Sequence, residues 1–144
     1  MLKKILVTGF ILLLALGGIY WYVATEKFSD TKNVKADYTV NAIEFIREFL
    51  PTDSAANKKY TDKIVTVKGI VSEVEAADTT VNIKFIDTVS GSYAIFAFQQ
   101  QHITEAKTIK AGDQVSIKGS CSGGVFSQIL GAESITFKRC TIDK

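Results

Sequence analysis

The stretch KIVTVKGIV, residues 63–71, is the clearest indication of the fold class of this chain. Its valines at Val65 and Val67 fall on one side of a period-two alternation, which is the pattern of a strand with one buried face. We predict a single long strand over residues 63–75. Gly69 lies in the middle of it, where a bulge or a sharp coil is expected because glycine weakens a strand interior.

The same alternation continues through most of the remaining chain, so the folded part is predicted to be mainly β. The elements expected after the first strand are a second strand with Val81, Ile83 and Phe85 on one face, a third strand from Tyr93 to Phe98, a short helix around Ile103 and Ala106, a fourth strand with Val115 and Ile117 in phase, and a fifth strand from Ser134 to Phe137 that continues towards Cys140.

Two short helices are predicted before the first strand. Apolar residues recur at helical spacing over residues 40–50, with Thr39 or Asp37 available as the cap. Pro51, the only proline, should end this helix because proline cannot continue it. A second helix is expected over residues 54–60.

Residues 1–24 are interpreted as a signal anchor that crosses a membrane once. The apolar run over residues 5–23 carries no charge, and as a helix it would be roughly 28 Å long, close to the thickness of a bilayer core. The run ends in Tyr-Trp-Tyr at residues 20–22, which is typical of an interfacial aromatic belt. The alternative is a cleaved signal peptide with its small-residue site at residues 15–17.

The anchor is expected to place the rest of the chain outside the cytoplasm, on the periplasmic side. Lys3 and Lys4 would stay inside, residues 25–37 would form a spacer, and residues 38–144 would form one folded domain. The lysines on both sides of the anchor do not settle this orientation. The two cysteines favour it, because an exported domain can keep a disulfide.

The charge of the chain argues against binding to a phosphate backbone. Of its 17 basic residues, Lys3 and Lys4 precede the apolar run, so 15 basic residues face 15 acidic ones in the rest of the chain. Nucleic-acid binding usually requires a basic excess or stripe. We therefore expect nucleic acid to be an unlikely partner.

Three segments carry a resemblance to a known family: residues 57–71, residues 112–123 and the segment around Cys140. In order and spacing the chain resembles the tRNA-anticodon-like OB-fold family over residues 38–142. The five predicted strands, with a helix between the third and the fourth, describe a five-stranded OB-fold barrel, and an SH3-like barrel is the alternative fold. The resemblance also implies the OB fold. It implies nucleic-acid binding only by analogy of fold.

Cys121 and Cys140 are the only cysteines, and we predict a disulfide between them. A hairpin that turns near Leu130 and Gly131 would place the two residues opposite each other, within disulfide range. Cys140 is out of phase with the apolar face of its strand, and a bulge at residues 138–139 would correct this. The alternative is two buried free thiols.

Lys68, Lys84 and Tyr93 are the candidate ligand-binding residues, because the alternation turns them outward and they could form one ligand-facing cluster. Phe85, Phe96 and Phe98 are expected to fill the barrel instead. His102, the only histidine, is expected to be a surface residue.

No motif for catalysis, phosphate binding or a cofactor occurs, and the histidine and cysteines do not form a metal-ligand set. The sequence therefore predicts a non-enzymatic binding module, anchored in the membrane through residues 5–23, for a protein, glycan or other envelope component. The alternative is a protein that binds single-stranded nucleic acid.

Overall fold

The computed structural model describes residues 1–25, 29–50 and 55–143. Its first element is helix α1 (Leu2–Thr25), whose residues are all exposed. With a mean hydropathy of 2.0, α1 is long and apolar enough to cross a membrane.

The folded part is built on one sheet of seven strands in the order β1-β2-β6-β7-β5-β4-β3. Neighbours are antiparallel except for the pairs β1 with β2 and β5 with β7, which are parallel. The strands are β1 (Tyr38–Asn41), β2 (Ile64–Ile70), β3 (Glu73–Ala76), β4 (Val81–Ile86), β5 (Tyr93–Phe98), β6 (Gln114–Ser127) and β7 (Ala132–Ile142).

The long strand predicted over residues 63–75 is divided into β2 and β3, because the chain changes partners between Val71 and Ser72. The Val71 N–H donates to Asp113 beside β6, whereas the Ser72 N–H donates to Lys84 on β4. The predicted five strands therefore become seven: one is split, and β1 is added at the edge. No strand pairing among the described residues joins the two ends of the sheet into a closed barrel. The consecutive strands β2 and β3 nevertheless lie near opposite ends of the strand order.

The helices agree with the prediction in position and differ in their ends. Helix α2 (Ala42–Glu48) is shorter than predicted, because the residues before it pair with β2 as β1 and Asn41 provides the cap. The other helices are α3 (Ala55–Tyr60) and α4 (Ile103–Ala106), with 3-10 turns at Thr31–Asn33 and Gln100–His102. Pro51, the predicted end of the first helix, lies outside the described residues.

The core lies between α2 and the inner face of the sheet. Phe45 of α2 lies at its centre, with ring centroids 4.9 Å from Tyr60, 5.1 Å from Phe49 and 5.6 Å from Phe137. The predicted alternation of β4 is confirmed: every second residue from Val81 is buried. These ring contacts pack α2 against the end of α3 and against β7.

The β6–β7 hairpin contains two register shifts. One lies opposite Lys118–Ser120 and places an extra residue of β7 after Lys138, where Arg139 has a φ of 52°. This confirms the bulge predicted at residues 138–139. The other shift, on β6, includes Gly123, whose φ of 97° favours glycine.

The predicted disulfide is wrong, because Cys121 and Cys140 are free and buried. The hairpin joins Ser127 to Ala132, so its midpoint lies one position earlier than the disulfide requires. Cys121 is therefore opposite Phe137, and Cys140 pairs with a residue of β5. Burial raises the pKa of the Cys121 thiol to about 11, and burial also raises the pKa of the Cys140 thiol well above its ordinary value.

Candidate binding surface

A half-open cavity of about 390 Å³ lies beside the start of α2, between β2 and β4. This volume is within the range of small-ligand sites. Gly69 and Ala42 line the cavity where α2 approaches β2 closely: a Cβ on Gly69 would lie 2.6 Å from the Cβ of Ala42. Gly69 thus serves close packing, and the register of β2 with β6 is unbroken there, so the bulge predicted at this residue is absent.

Both apolar and polar groups line the cavity. Phe85 is fully buried beneath it, and Ile70 stands at its edge with 65% of its surface exposed. Asn41 and Gln114 add amide groups, and the Asn41 Oδ1 accepts the N–H of Ile43 as the cap of α2. The cavity can therefore accommodate an apolar group and hold a polar one beside it.

Lys68, a candidate ligand contact from the sequence, lines this cavity, and its side chain is exposed. No ion pair joins it to any residue within the described ranges. Its ammonium group is thus available to an anionic group of a ligand.

Lys84 and Tyr93 are brought together on the outer face of β4 and β5. The Lys84 Nζ lies 5.6 Å from the centre of the Tyr93 ring, within the range of a cation–π contact. The same Nζ lies 2.6 Å from Glu75 and 3.2 Å from Glu73, and hydrogen bonding to Glu75 first, then to Glu73, raises the pKa of Lys84. Two carboxylates therefore neutralise this lysine.

The three phenylalanines of β4 and β5 are buried, as the sequence predicts. Phe85 and Phe96 meet edge to face at 5.1 Å, and Phe96 stacks on Phe137 at 4.5 Å. Phe98 is 9% exposed. These rings form the core and are not available to stack on a nucleotide base.

The prediction that His102 is a surface residue is wrong, because only 8% of its surface is exposed. Its Nε2 lies 2.7 Å from the Asp30 Oδ1, and hydrogen bonding to His102 is the first cause of the lowered pKa of Asp30. The Lys118 Nζ donates to the carbonyl oxygens of Lys32 and Val34 at 3.0 and 2.9 Å. These contacts bind the segment that follows α1 to the 3-10 turn at Gln100–His102 and to β6.

Sequence reasoning missed the contributions of Asn41, Ser72 and Gln114 to the cavity. The first of these has a visible signal, since asparagine is a good helix cap directly before an apolar helix. No group of three or more His, Cys, Asp or Glu side chains in residues 1–25, 29–50 and 55–143 is placed to hold a metal ion.

Comparison with curated proteins finds no match. Among solved structures, the chain is similar to a candidate nucleic acid-binding lipoprotein from Klebsiella pneumoniae, with 15% identity and a TM-score of 0.55 over 73% of this chain and 91% of that one. This likeness shows a shared fold.

The chain is also similar to parts of two tRNA synthetase structures. One is a candidate aspartyl-tRNA synthetase from Leishmania major, with 13% identity and a TM-score of 0.47 over 82% of this chain and 22% of that one. The other is the aspartyl-tRNA synthetase of Entamoeba histolytica, with 14% identity and a TM-score of 0.45 over 67% of this chain and 20% of that one. The chain spans about a fifth of the length of either enzyme.

The model of the tRNA_anti-like family matches residues 1–134, which include α1 and all the strands up to the start of β7. The chain therefore belongs to the tRNA_anti-like family.

Proposed function

We propose that this protein is a non-catalytic binding module, anchored by α1 with its folded part outside the cytoplasm, which takes an envelope component in the cavity beside α2. The observation that carries this proposal is the cavity itself. It combines an apolar floor at Phe85 with an exposed, unpaired ammonium group at Lys68, within the described part of the chain. A peptide or glycan with a carboxylate next to an apolar group has the matching chemistry.

The absence of catalysis is part of the same proposal. The only histidine of the chain is 8% exposed and is bound to Asp30, so its imidazole is poorly placed to exchange protons with a substrate. The two thiols are buried and their raised pKa values keep them protonated. These residues therefore support a binding role.

Two experiments test the proposal, and the first tests the side of the membrane. The free thiols give no support to an exterior location, and the lysines on both sides of α1 do not settle it, so the side of the membrane needs a direct test. Because both native thiols are buried, V89C would place one accessible thiol on the folded part, at a residue that is 84% exposed. We expect a membrane-impermeant maleimide to label V89C in intact cells.

The matched control is L2C, which places the thiol on the other side of α1. It should react only after lysis. Labelling of L2C in intact cells, with V89C protected, would refute the exterior location. Loss of the L2C thiol from the mature protein would show that the N-terminal segment is cleaved and is no anchor.

The second experiment tests the cavity. A photocrosslinking amino acid replaces Ile70 at its edge, and a control chain carries the same amino acid at Val89, which does not line the cavity. We expect crosslinked adducts from position 70. K68R should retain them because it keeps the positive charge, whereas K68E should abolish them because it reverses that charge. Identical adducts from both positions, or adducts insensitive to K68E, would refute a role for the cavity.

Single-stranded nucleic acid is the second candidate ligand, and the observation that favours it is the likeness to the Klebsiella protein over 91% of that chain. The pairing of Lys84 with two glutamates and the burial of the phenylalanines weigh against it. Titration of single-stranded DNA and RNA oligonucleotides with the full chain at low salt would decide. Binding that weakens with salt would support this candidate, and no binding at low salt would exclude it.

A further inference from the structure

The tip of the β6–β7 hairpin exposes a group of large apolar side chains. Within residues 125–131, which we call the hairpin tip, Val125 is 72% exposed, Phe126 51%, Ile129 96% and Leu130 68%. The other exposed large apolar residues of the described part after α1 are three, Leu50, Ile70 and Val89. The hairpin tip is therefore the main concentration of apolar surface on the folded part.

These apolar side chains are not needed to form the turn. The Gly131 N–H donates to the Ser127 carbonyl at 2.8 Å, and the Leu130 N–H approaches the Ser127 Oγ at 3.3 Å. Gly131 has a φ of 63°, which glycine adopts without strain. Serine and glycine thus close the turn, and polar side chains would serve equally well at positions 129 and 130.

The hairpin tip is also free of charge over a long stretch. From Gly119 to Ala132 no charged residue occurs in the sequence. A protruding loop with apolar side chains and no charge can enter the headgroup region of a bilayer without desolvating an ion. A protein partner would instead have to supply a pocket that receives this convex surface.

A bilayer is within reach of the hairpin tip if α1 is the anchor proposed above. The chain from Thr25 to Asp30 spans at most about 18 Å, and the contacts of Asp30 and Lys118 bind the following segment to the domain. Along β6, from Lys118 to Ser127, the hairpin extends about 30 Å further. If the hairpin lies along the membrane surface, its tip is within reach of the lipid, and the anchor would keep the local concentration of lipid high enough for weak insertion to suffice.

We propose that the hairpin tip inserts into the interface of the bilayer that holds α1, as a second, reversible point of membrane contact. This inference rests on the anchoring part of the proposed function and is independent of the cavity. It fixes the orientation of the domain, since the cavity beside α2 is then held at a constant angle to the membrane.

The test uses the full chain in phosphatidylcholine–phosphatidylglycerol vesicles, with and without acyl-chain-brominated phosphatidylcholine, which quenches tryptophan on contact. Trp21, in α1, is the only tryptophan of the native chain, so its quenching reports the anchor alone. The variant W21F/I129T contains no tryptophan and provides the blank, whereas W21F/I129W moves the single tryptophan to the hairpin tip. Because Ile129 is 96% exposed, this change leaves the core untouched.

We expect W21F/I129W to show blue-shifted emission and quenching by the brominated lipid, and the matched control W21F/I70W to show no quenching. Quenching of Trp21 without quenching at position 129 would overturn the inference while leaving the anchor intact. Lack of quenching of Trp21 itself would refute the anchor. Insertion of the tip would also be refuted by equal quenching at positions 70 and 129. It would likewise be refuted if the blue shift at position 129 depended on the density of protein on the vesicle and the brominated lipid did not quench the emission.

Discussion

Replacing Gly69 by alanine is expected to push α2 away from β2 and destabilise the domain. The new Cβ would lie 2.6 Å from the Cβ of Ala42, and an ordinary carbon–carbon contact is about 3.5–4.0 Å, so α2 has to move by about 1 Å. The Ala42 methyl cannot rotate aside because it is fixed to the helix backbone. Overpacking of this kind costs about 1–3 kcal/mol of the free energy of unfolding.

A second substitution separates this contact from other effects. A42G alone removes a buried methyl group, at about 0.8 kcal/mol, and a helix-favouring residue, at up to about 1 kcal/mol. In the double variant A42G/G69A the clash is absent, so its stability should equal that of A42G alone. The two changes are therefore expected to be coupled by about 1–3 kcal/mol in the stabilising direction.

The measurement is urea unfolding of the full chain in non-ionic detergent, followed by near-ultraviolet circular dichroism of the packed aromatic rings. Linear extrapolation gives the free energy of unfolding for the native chain and the three variants. Additivity of the two substitutions within about 0.5 kcal/mol would refute the contact, as would a stable G69A.

Three further results are expected. N57A should lower the free energy of unfolding by about 2 kcal/mol in the same assay, because the Asn57 side chain bonds both the N–H and the carbonyl of Gly124; N57D, which keeps the acceptor, should lose less, and equal losses would contradict this. Burial raises the pKa of Glu133, so the folded state binds this proton more tightly than the unfolded state and loses stability as the pH rises above the ordinary pKa of a glutamate. The melting temperature of E133Q should therefore rise relative to that of the native chain between pH 4 and pH 8. A difference in melting temperature that stays constant over this range would contradict the prediction. Cys121 and Cys140 should react with a maleimide only after denaturation and without reductant, whereas a requirement for reductant would restore the disulfide.

The strands could be predicted because their pattern is local. Val81, Ile83 and Phe85 alternate with polar residues, and this alternation alone requires an extended chain with one buried face. The bulge at residues 138–139 was also predictable, since Cys140 is out of phase with its strand. Such features depend on neighbours in sequence.

The pairing of the cysteines could not be predicted, because it depends on the register of the whole hairpin. The turn lies one position earlier than assumed, and each strand of the hairpin then adds a residue at a bulge. An error of one position in the midpoint of a hairpin changes the residue that lies opposite a given position by two. This change is sufficient to remove Cys140 from the position opposite Cys121. The burial of His102 was missed for a similar reason, since its partner Asp30 lies in a distant segment of the chain.

The candidate site shows the same division. The alternation predicts that three outward residues form one cluster: Lys68, Lys84 and Tyr93. In the structure Lys84 lies beside Tyr93, whereas Lys68 lines the separate cavity. The glutamates that neutralise Lys84 belong to β3, whose existence depends on the change of partners after Val71. The role of each lysine as a ligand contact stays a prediction.

The apolar helix at the N-terminus, the mainly β character of the rest and the buried apolar face of β4 can all be predicted from the amino-acid pattern. Contacts between distant residues are known only from the folded chain: Gly69 packs against Ala42, Asp30 binds His102, and Cys121 lies opposite Phe137 in the register. The physical reason is that periodicity and hydropathy act between near neighbours, whereas contacts across the sheet follow from register, bulges and the packing of all elements at once.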